Sequence, residues 1–244
     1  MNQPISIQSY CYRGFKSVPS FIEQLKATGV NSTELCGVHA DFSKPETFAG
    51  VIDQFKKAGV GIVAIGVEYL SGDPVKDRPR FEFCKQAGVK NMSISFRPES
   101  MFDGLKNIEK LADEFDLKLG IHNHGGYDWL GNPTILQYIF GKTSKRIGLH
   151  LDTAWAIDAK QDAVKMADEF GERLYGVHVK DFVYDRKRQP SDVIIGTGNL
   201  DLPAFTKVLD KHGFTGPLVI EYEGDEKNPV PALKECVAAL KKAT

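Results

Sequence analysis

The sequence predicts an α/β protein folded as a single (β/α)8 TIM barrel that occupies residues 1–244. Three observations lead to this prediction. Eight short apolar runs typical of strands follow one another along the chain, amphipathic segments with helical spacing lie between them, and several of these segments end in a glycine just before the next run. Eight strand-helix units in 244 residues are typical of a (β/α)8 barrel and leave little chain for a second domain.

The predicted strands are runs rich in β-branched and apolar residues. They cover residues 5–12, 30–36, 61–67, 91–97, 117–124, 146–152, 174–181 and 217–223. Helices are predicted between them, for example over 19–26 and 44–55, where apolar residues recur at helical spacing. Glycines predicted to terminate helices stand at positions 29, 59, 88 and 213. The longest predicted irregular stretch, 182–199, has a length typical of functional loops.

The composition excludes some classes of partner. The chain has 31 basic and 32 acidic residues and a formal charge of -1, so no net field favours nucleic acid or an anionic membrane surface. No apolar run approaches the length of a membrane span, and the first residues do not resemble a signal peptide. We expect a cytoplasmic protein that binds a small molecule, and homo-oligomer formation is compatible with this composition.

The four cysteines are widely spaced and form no Cys-x-x-Cys motif. They stand at Cys11, Cys36, Cys84 and Cys236. This spacing favours free thiols in a reducing compartment over a disulfide framework.

Polar side chains share one phase of the later strands. Successive residues of a strand point to opposite faces, so an apolar phase against the helices leaves the other phase facing the barrel axis. Six predicted strands place ionisable or polar residues in that axial phase near their carboxyl ends: Glu34, Arg97, His122 with His124, His150 with Asp152, His178 with Lys180, and Glu221 with Glu223. The carboxyl ends of barrel strands are where barrel enzymes build their active sites.

This concentration of buried charge predicts a metal site. An unpaired buried charge costs several kcal/mol or more, so these groups must be paired, hydrated or bound to a cation. Imidazoles and carboxylates from four neighbouring strands form a nitrogen and oxygen ligand set suited to Mn, Co, Zn or Mg, and the imidazoles favour a transition metal. We therefore expect one divalent metal ion; a buried polar network without metal is the alternative.

Five segments resemble the xylose isomerase-like TIM barrels, the superfamily of sugar phosphate isomerases and epimerases. They read IHNHGG (121–126), GLHLDTAW (148–155), GVHVKD (176–181), IGTGNLDL (195–202) and PLVIEYEGD (217–225). The resemblance extends over the whole chain. It implies a divalent metal, with manganese a typical choice, held by His122, Asp152, His178 and Glu221.

Two positions depart from the family pattern. His122 stands where many members have glutamate, and Asp152-Thr-Ala-Trp155 replaces an Asp-x-x-His motif. The first departure leaves open whether His122 or His124 is the ligand on the fifth strand. It also removes one of the two glutamates that act as paired acid and base in the epimerases of the family.

The resemblance implies a sugar isomerase or epimerase that moves a proton next to a carbonyl group. Glu221 is expected to act as ligand and base, as in the relatives, and His124 or Glu34 is expected to handle a second proton. Lys180 is expected to stabilise an oxyanion or hold a substrate hydroxyl. Arg97, Trp129 and Trp155, near the predicted mouth, are expected to bind substrate.

Three other functions are alternatives to this one. A metal-dependent lyase acting on 3-keto-glycosides would use the same site to acidify a carbon-bound proton and then expel a group two carbons away. A sugar-binding barrel without activity would also explain the two departures. A DNA repair enzyme resembling endonuclease IV is disfavoured by the balanced charge and the missing Asp-x-x-His motif.

Overall fold

Eight parallel strands close into a barrel in the computed structural model, which describes residues 3–244. The barrel strands are β1 (Ile5–Gln8), β2 (Ser32–Leu35), β3 (Gly61–Tyr69), β4 (Asn91–Ser95), β5 (Lys118–His122), β6 (Ile147–Asp152), β7 (Leu174–Val179) and β10 (Leu218–Ile220). Their order around the barrel is β1, β10, β7, β6, β5, β4, β3 and β2, and β2 pairs with β1 to close it. The prediction of a (β/α)8 barrel is confirmed.

Helices follow the barrel strands along the chain, and all but the last of them connect one barrel strand to the next. They are α1 (Val18–Ala27), α2 (Pro45–Ala58), α3 (Pro74–Ala87), α4 (Asp103–Glu114), α5 (Pro133–Phe140), α6 (Thr153–Asp158), α7 (Ala163–Glu169), α8 (Leu202–Lys211) and α9 (Val230–Ala243). The helices predicted over 19–26 and 44–55 correspond to α1 and α2. The four predicted terminator glycines have φ between 56° and 79°, the left-handed region in which a side chain is disfavoured.

The hydrophobic core lies between the strands and the surrounding helices. On β5 and β6 the side chains of Leu119, Ile121, Leu149 and Leu151 are fully buried on the side that faces the helices. The alternate residues of these strands face the barrel axis, as the alternation predicts. All four cysteines are buried free thiols. Within residues 3–244, no helix is long and apolar enough to cross a membrane.

Several strands are shorter than the sequence pattern predicts. The run 5–12 is a strand only to Gln8 and continues as a 3-10 helix, and the runs 117–124 and 217–223 end as strands at His122 and Ile220. After β5 the side chain of Asn123 takes over the pairing with β6: its Nδ2 donates to the Asp152 carbonyl at 2.9 Å, and its Oδ1 accepts from the Asp152 amide at 2.8 Å. Residues beyond the ends of these strands therefore turn towards the mouth of the barrel.

The stretch 182–199 contains regular structure, where the sequence predicts an irregular loop. β8 (Phe182–Tyr184) and β9 (Pro190–Asp192) pair as an antiparallel hairpin beside the barrel mouth. Three-residue strands are too short to show a clear alternation, so the pattern of residues could not indicate them.

Candidate active site

Four side chains from four neighbouring strands converge at the carboxyl end of the barrel. One ligand atom from each of His122, Asp152, His178 and Glu221 can be chosen so that all lie within 4.8 Å of one another. His178 Nδ1 lies 3.1 Å from Glu221 Oε2 and 3.2 Å from His122 Nε2. His122 Nε2 lies 3.7 Å from Asp152 Oδ2. We call these four residues the central cluster.

Asp152 joins the central cluster to the start of a helix. It is the N-cap residue of α6, and its Oδ1 accepts a hydrogen bond from the Trp155 amide at 2.8 Å. Its Oδ2 is buried, faces the cluster and has no hydrogen-bond partner among the described residues. One carboxylate oxygen therefore fixes the side chain and leaves the other free to bind a ligand.

The donor set of the central cluster fits a divalent cation. A buried carboxylate oxygen without a partner is costly, and a cation in the cluster would remove that cost. Two carboxylates supply two negative charges, and two imidazoles supply neutral nitrogen ligands of the kind found for Zn, Mn, Co and Fe. The cluster matches the ligand residues that the resemblance implies, including His122 in the place of glutamate.

A second layer of polar residues lies beneath the central cluster. Glu34 Oε1 is 3.3 Å from His178 Nε2, and Glu34 Oε2 is 3.6 Å from His150 Nε2. Glu34 is fully buried and also accepts hydrogen bonds from the Ser93 hydroxyl at 2.5 Å and from Gln8 Nε2 at 3.1 Å. Glu34 Oε1 thus lies at ion-pair distance from the far nitrogen of the His178 ring without forming a hydrogen bond to it, while Nδ1 faces the central cluster.

The ionisation of this layer follows from its packing. Burial raises the pKa of Glu34, but His150 and His178 outweigh it and lower the pKa to about 2. Burial lowers the pKa of His150 to about 3, against the raising effect of Glu34. Burial also lowers the pKa of His178, but Glu34 and Glu221 raise it well above the ordinary value. Without a cation, His178 therefore carries the positive charge between two carboxylates.

Two glycines make room for the ring of His150. A Cβ on Gly176 would lie 2.4 Å from His150 Nδ1, and a Cβ on Gly120 would lie 2.7 Å from the His150 Cβ. Both distances are shorter than any tolerated contact, so the axial positions beside His150 must be glycine. This explains why glycine precedes the polar axial residue of both β5 and β7 by one axial step, as Gly120 before His122 and Gly176 before His178.

Lys180 lies beside the central cluster and is almost fully buried, with 1 % of its surface exposed. Its Nζ forms an ion pair with Glu223 and lies 3.7 Å from Glu221 Oε2 and 3.8 Å from Asp192 Oδ1. Burial lowers the pKa of Lys180, but the surrounding carboxylates raise it well above the usual range. Burial raises the pKa of Glu221, but Lys180 and His178 hold it well below the ordinary value.

A cavity of about 780 Å³ opens above the central cluster. It is lined by Gln8, Tyr10, Cys36, Gly37, Val38, Gly66, Val67, Glu68, Tyr69, Ser95, His122, His124, Asp128, Trp155, Glu221 and Glu223. The ring of His124 stacks on Trp155 with 4.1 Å between centroids. Partial burial in this stack and the neighbouring His122 lower the pKa of His124, so the imidazole is neutral at neutral pH.

The predicted site residues fall into three groups. His122, Asp152, His178 and Glu221 form the central cluster, and His124 and Trp155 line the cavity above it. Glu34 and Lys180 are buried next to the cluster and are not among the lining residues. Arg97 is exposed with its guanidinium 5.9 Å from the Tyr69 ring centroid, and Trp129 packs edge-on against Phe96; neither is among the lining residues.

Sequence reasoning missed several residues that shape the site. Asn123 fixes the backbone of Asp152, and the Thr153 hydroxyl donates to the Lys180 carbonyl at 2.6 Å and accepts from the Lys180 amide at 2.9 Å. Glu68 lines the cavity and pairs with Arg80 at 2.8 Å. Asn123 and Thr153 directly follow His122 and Asp152, which is the one signal in the sequence that could have indicated them.

A closed barrel with ionisable residues at the carboxyl ends of its strands has the layout of barrel enzymes. A family model described as xylose isomerase-like TIM barrel matches residues 22–243. The chain belongs to this family. The predicted family resemblance is confirmed.

Similar curated proteins include sugar-modifying enzymes. The inosose dehydratase of Bacillus velezensis is 24% identical over 199 residues, which cover 74% of this chain and 63% of that protein. The rhizopine catabolism protein MocC of Rhizobium meliloti is 27% identical over 141 residues, which cover 52% of this chain and 43% of that protein. The chain therefore spans less than two thirds of the length of these curated relatives.

Solved structures share the fold over nearly the whole chain. The 3-keto-D-glucoside 4-epimerase YcjR from E. coli has a TM-score of 0.77 at 16% identity and covers 99% of this chain and 100% of its own. The D-allulose 3-epimerase from Methylomonas sp. has a TM-score of 0.75 at 14% identity, covering 99% and 98%. The probable 3-DHS dehydratase AsbF from Bacillus anthracis has a TM-score of 0.73 at 14% identity, covering 98% and 99%. At these identities the likeness concerns the fold alone.

Proposed function

We propose that the chain is a divalent-metal-dependent sugar isomerase or epimerase that transfers a proton on a carbon next to a carbonyl group. The observation that carries the proposal is the central cluster: two imidazoles and two carboxylates within 4.8 Å, with the buried Oδ2 of Asp152 unpaired and facing them. Epimerases among the structural neighbours and sugar-modifying enzymes among the curated relatives support it.

His122, Asp152, His178 and Glu221 would hold the cation, for which Mn, Co, Zn and Mg are the candidates. When bound, a divalent cation polarises a carbonyl oxygen and a neighbouring hydroxyl, which acidifies the proton on the carbon between them. Glu34 would favour this orientation of the His178 ring by electrostatic attraction, because its Oε1 lies 3.3 Å from His178 Nε2.

Two residues of the cavity wall are placed to exchange protons with a substrate. Glu221 follows β10 and lines the cavity as a carboxylate, since Lys180 and His178 hold its pKa low. His124 follows β5 and reaches the cavity as a neutral imidazole. These two strands lie at the two ends of the four-strand arc that carries the central cluster, so the two groups can approach a bound sugar from different sides.

Trp155 and Lys180 lie next to the two residues proposed to exchange protons. Trp155 lines the cavity beside His124 and excludes water from one side of the substrate. Lys180 lies 3.7 Å from Glu221 and keeps that side chain ionised and oriented. Direct contact of Lys180 with a substrate oxygen would need a small movement, because its side chain is 1 % exposed.

A second candidate function is elimination next to a keto group, by a dehydratase or a lyase on 3-keto-glycosides. Inosose dehydratases among the curated relatives favour it. The unequal pair formed by Glu221 and His124 also favours elimination. Epimerisation in either direction uses an acid and a base that exchange roles, whereas elimination uses one base and a separate acid for the leaving group.

Incubation in deuterated water tests both candidates. The protein, loaded with Mn²⁺, is supplied with a panel of ketoses, inososes and 3-keto-glycosides, and the products are followed by NMR and mass spectrometry. Deuterium in recovered sugar without bond cleavage is expected for an isomerase or epimerase. Loss of water or release of an aglycone would instead identify the lyase.

The matched variant for this test is Glu221→Gln, with Glu226→Gln as a control on an exposed glutamate three residues beyond Glu223. E221Q should lose at least about hundredfold in exchange rate, as expected for removal of a base that contacts the substrate, while E226Q should match the unmodified chain. Absence of exchange and of cleavage for every substrate would contradict the proposed function.

A further inference from the structure

We infer that the cavity above the central cluster takes an uncharged sugar derivative with an apolar or aromatic aglycone, and that it rejects sugar phosphates. The inference rests on the proposed function, because it names the substrate class of the same site. Two features carry it: the charges that line the cavity, and an apolar wall opposite the central cluster.

The lining of the cavity is acidic. Four carboxylates belong to it, from Glu68, Asp128, Glu221 and Glu223, and no Lys or Arg within residues 3–244 does. A phosphate monoester carries close to two negative charges at neutral pH and is bound in proteins by Arg, Lys or a helix N-terminus. Transfer of such a group from water into this cavity would cost desolvation free energy, and no lining Lys or Arg is present to offset that cost.

Two cations beside the cavity have partners, and a third, Arg97, is exposed outside the lining with its guanidinium 5.9 Å from the Tyr69 ring centroid. Lys180 pairs with Glu223 and is buried, and Arg80 pairs with Glu68 at 2.8 Å. Arg188, in the basic run of the β8–β9 hairpin, lines a different cavity together with Tyr127 and Tyr184. With both ion pairs intact, no side chain of the lining outside the central cluster offers a free positive charge to a substrate phosphate.

An apolar wall faces the central cluster across the cavity. It is formed by Tyr10, Val38, Val67 and Tyr69, which lie at the carboxyl ends of β1, β2 and β3. The order of strands places β3 diametrically opposite β7, which carries His178. Tyr10, Val67 and Tyr69 are 39%, 38% and 51% exposed, so this wall is solvated and ready to cover an apolar group.

The size of the cavity suits a ligand with two parts. Its volume of about 780 Å³ is in the upper half of the range of roughly 300–1,000 Å³ found for pockets that hold drug-sized ligands. A sugar ring at the central cluster would leave the side of Tyr10 and Tyr69 for a second group. Because that side is apolar and aromatic, an aryl or alkyl aglycone complements it better than a phosphate or a second sugar.

Calorimetric binding to the full chain loaded with Mn²⁺ tests the inference. The probes are the methyl glycoside, the phenyl glycoside and the 6-phosphate of glucose, galactose and mannose. For the hexose that binds, we expect the phenyl glycoside to bind at least about tenfold more tightly than the methyl glycoside, since burial of a ring is worth more than tenfold in affinity. The phosphate is expected to bind more weakly than the methyl glycoside.

A pair of matched tyrosine variants locates the effect. Tyr69 on the apolar wall and Tyr138 on α5 are both 51% exposed, and Tyr138 lines a separate surface cavity. Tyr69→Ala should reduce the preference for the phenyl glycoside to about threefold or less, and Tyr138→Ala should leave it unchanged.

Each other outcome overturns the inference. Equal affinity for the methyl and phenyl glycosides, or tighter binding of the phosphate, would show that the wall and the charges do not select the substrate. Binding that weakens as the protein concentration rises would show that a second copy of the chain covers the wall. Binding of no probe would also contradict the inference, and deuterium exchange with free ketoses would still report on the proposed function separately.

Discussion

At the scale of single residues, the two histidines of the segment IHNHGG lie in different environments. His122 is the last residue of β5, is 6% exposed and belongs to the central cluster. His124 lies beyond the strand, with its ring centroid 6.2 Å from that of His122 and stacked on Trp155. The pair therefore divides between the central cluster and the stack with Trp155, and both histidines line the cavity.

Replacement of each histidine by alanine separates these roles. His122→Ala should weaken Mn²⁺ or Co²⁺ binding by at least about tenfold to hundredfold, because it removes one of four nitrogen and oxygen donors and even an indirect partner of a ligand is worth that much. His124→Ala should retain bound metal and lose activity. Metal content by mass spectrometry and metal titration measure both variants.

The two variants serve as controls for each other, since both remove an imidazole from the same segment. Unchanged metal stoichiometry in H122A together with loss in H124A would show that the assignment of the ligand is reversed. Circular dichroism of both variants establishes that the barrel is still folded.

Strand alternation predicts the face on which a side chain lies but not its depth in the barrel. Alternation along a strand predicts that His122, Asp152, His178 and Glu221 share a face, and the resemblance assigns them to one metal. Alternation could not separate Glu34 from the cavity residues. Glu34 shares their axial phase but lies one layer deeper, because neighbouring barrel strands are staggered and the same position in two runs corresponds to different depths.

At the scale of elements, Asp181 connects β7 to the hairpin at the barrel mouth. Its buried carboxylate accepts hydrogen bonds from the amides of Gly196, Gly198, Asn199 and Leu200, at 2.8 to 3.0 Å. The Asp181 carbonyl also accepts from the Val193 amide at 3.1 Å. The loop that contains these amides directly follows β9. Asp192, the last residue of β9, has its Oδ1 3.8 Å from Lys180 Nζ.

Substitution Asp181→Ala should lower the free energy of unfolding by about 3 kcal/mol, because one buried and three partly buried hydrogen bonds lose their charged acceptor at once. The matched control is Asp185→Ala. Asp185 accepts from the amides of Lys187 and Gln189 in the exposed turn of the hairpin, so the change should be about 1 kcal/mol or less. Urea denaturation measures both variants, and equal effects would contradict a special role for Asp181.

The boundaries of the helices were predicted more accurately than the ends of the strands. Helix boundaries follow from local signals, so α1 and α2 agree with the sequence to within a few residues and all four predicted terminator glycines have positive φ. Strand ends depend on partners from elsewhere in the chain. Asn123 ends the pairing of β5 with its own side chain, and the β8–β9 hairpin depends on Asp181, neither of which a local pattern reveals.

At the scale of the whole molecule, a bound cation should stabilise the barrel. A ligand that binds only the folded state at a concentration of 100 times its Kd adds about 2.7 kcal/mol to the free energy of unfolding. For a chain of 244 residues this corresponds to a rise in Tm of roughly 5–10 °C. The central cluster draws its ligands from four strands, so the effect should appear as one cooperative transition.

Scanning calorimetry of the protein with Mn²⁺ and of the protein treated with a chelator measures this difference. H122A should show a much smaller shift, which ties the stabilisation to the central cluster and not to surface carboxylates. An unchanged Tm with Mn²⁺, Co²⁺ and Zn²⁺ alike would contradict the metal proposal and favour a buried polar network.

The sequence by itself determined the fold class, the family and the residues of the central cluster. The fold class follows from the repeat of strand and helix patterns. The family and the residues of the central cluster follow from alternation together with the resemblance of short segments to a known family. The tertiary structure alone decided the depth of Glu34, the burial of Lys180, the position of Trp129 off the cavity, and the apolar wall of Tyr10 and Tyr69. These depend on the stagger of strands and on side chains that are distant in the sequence, and no local pattern carries that information.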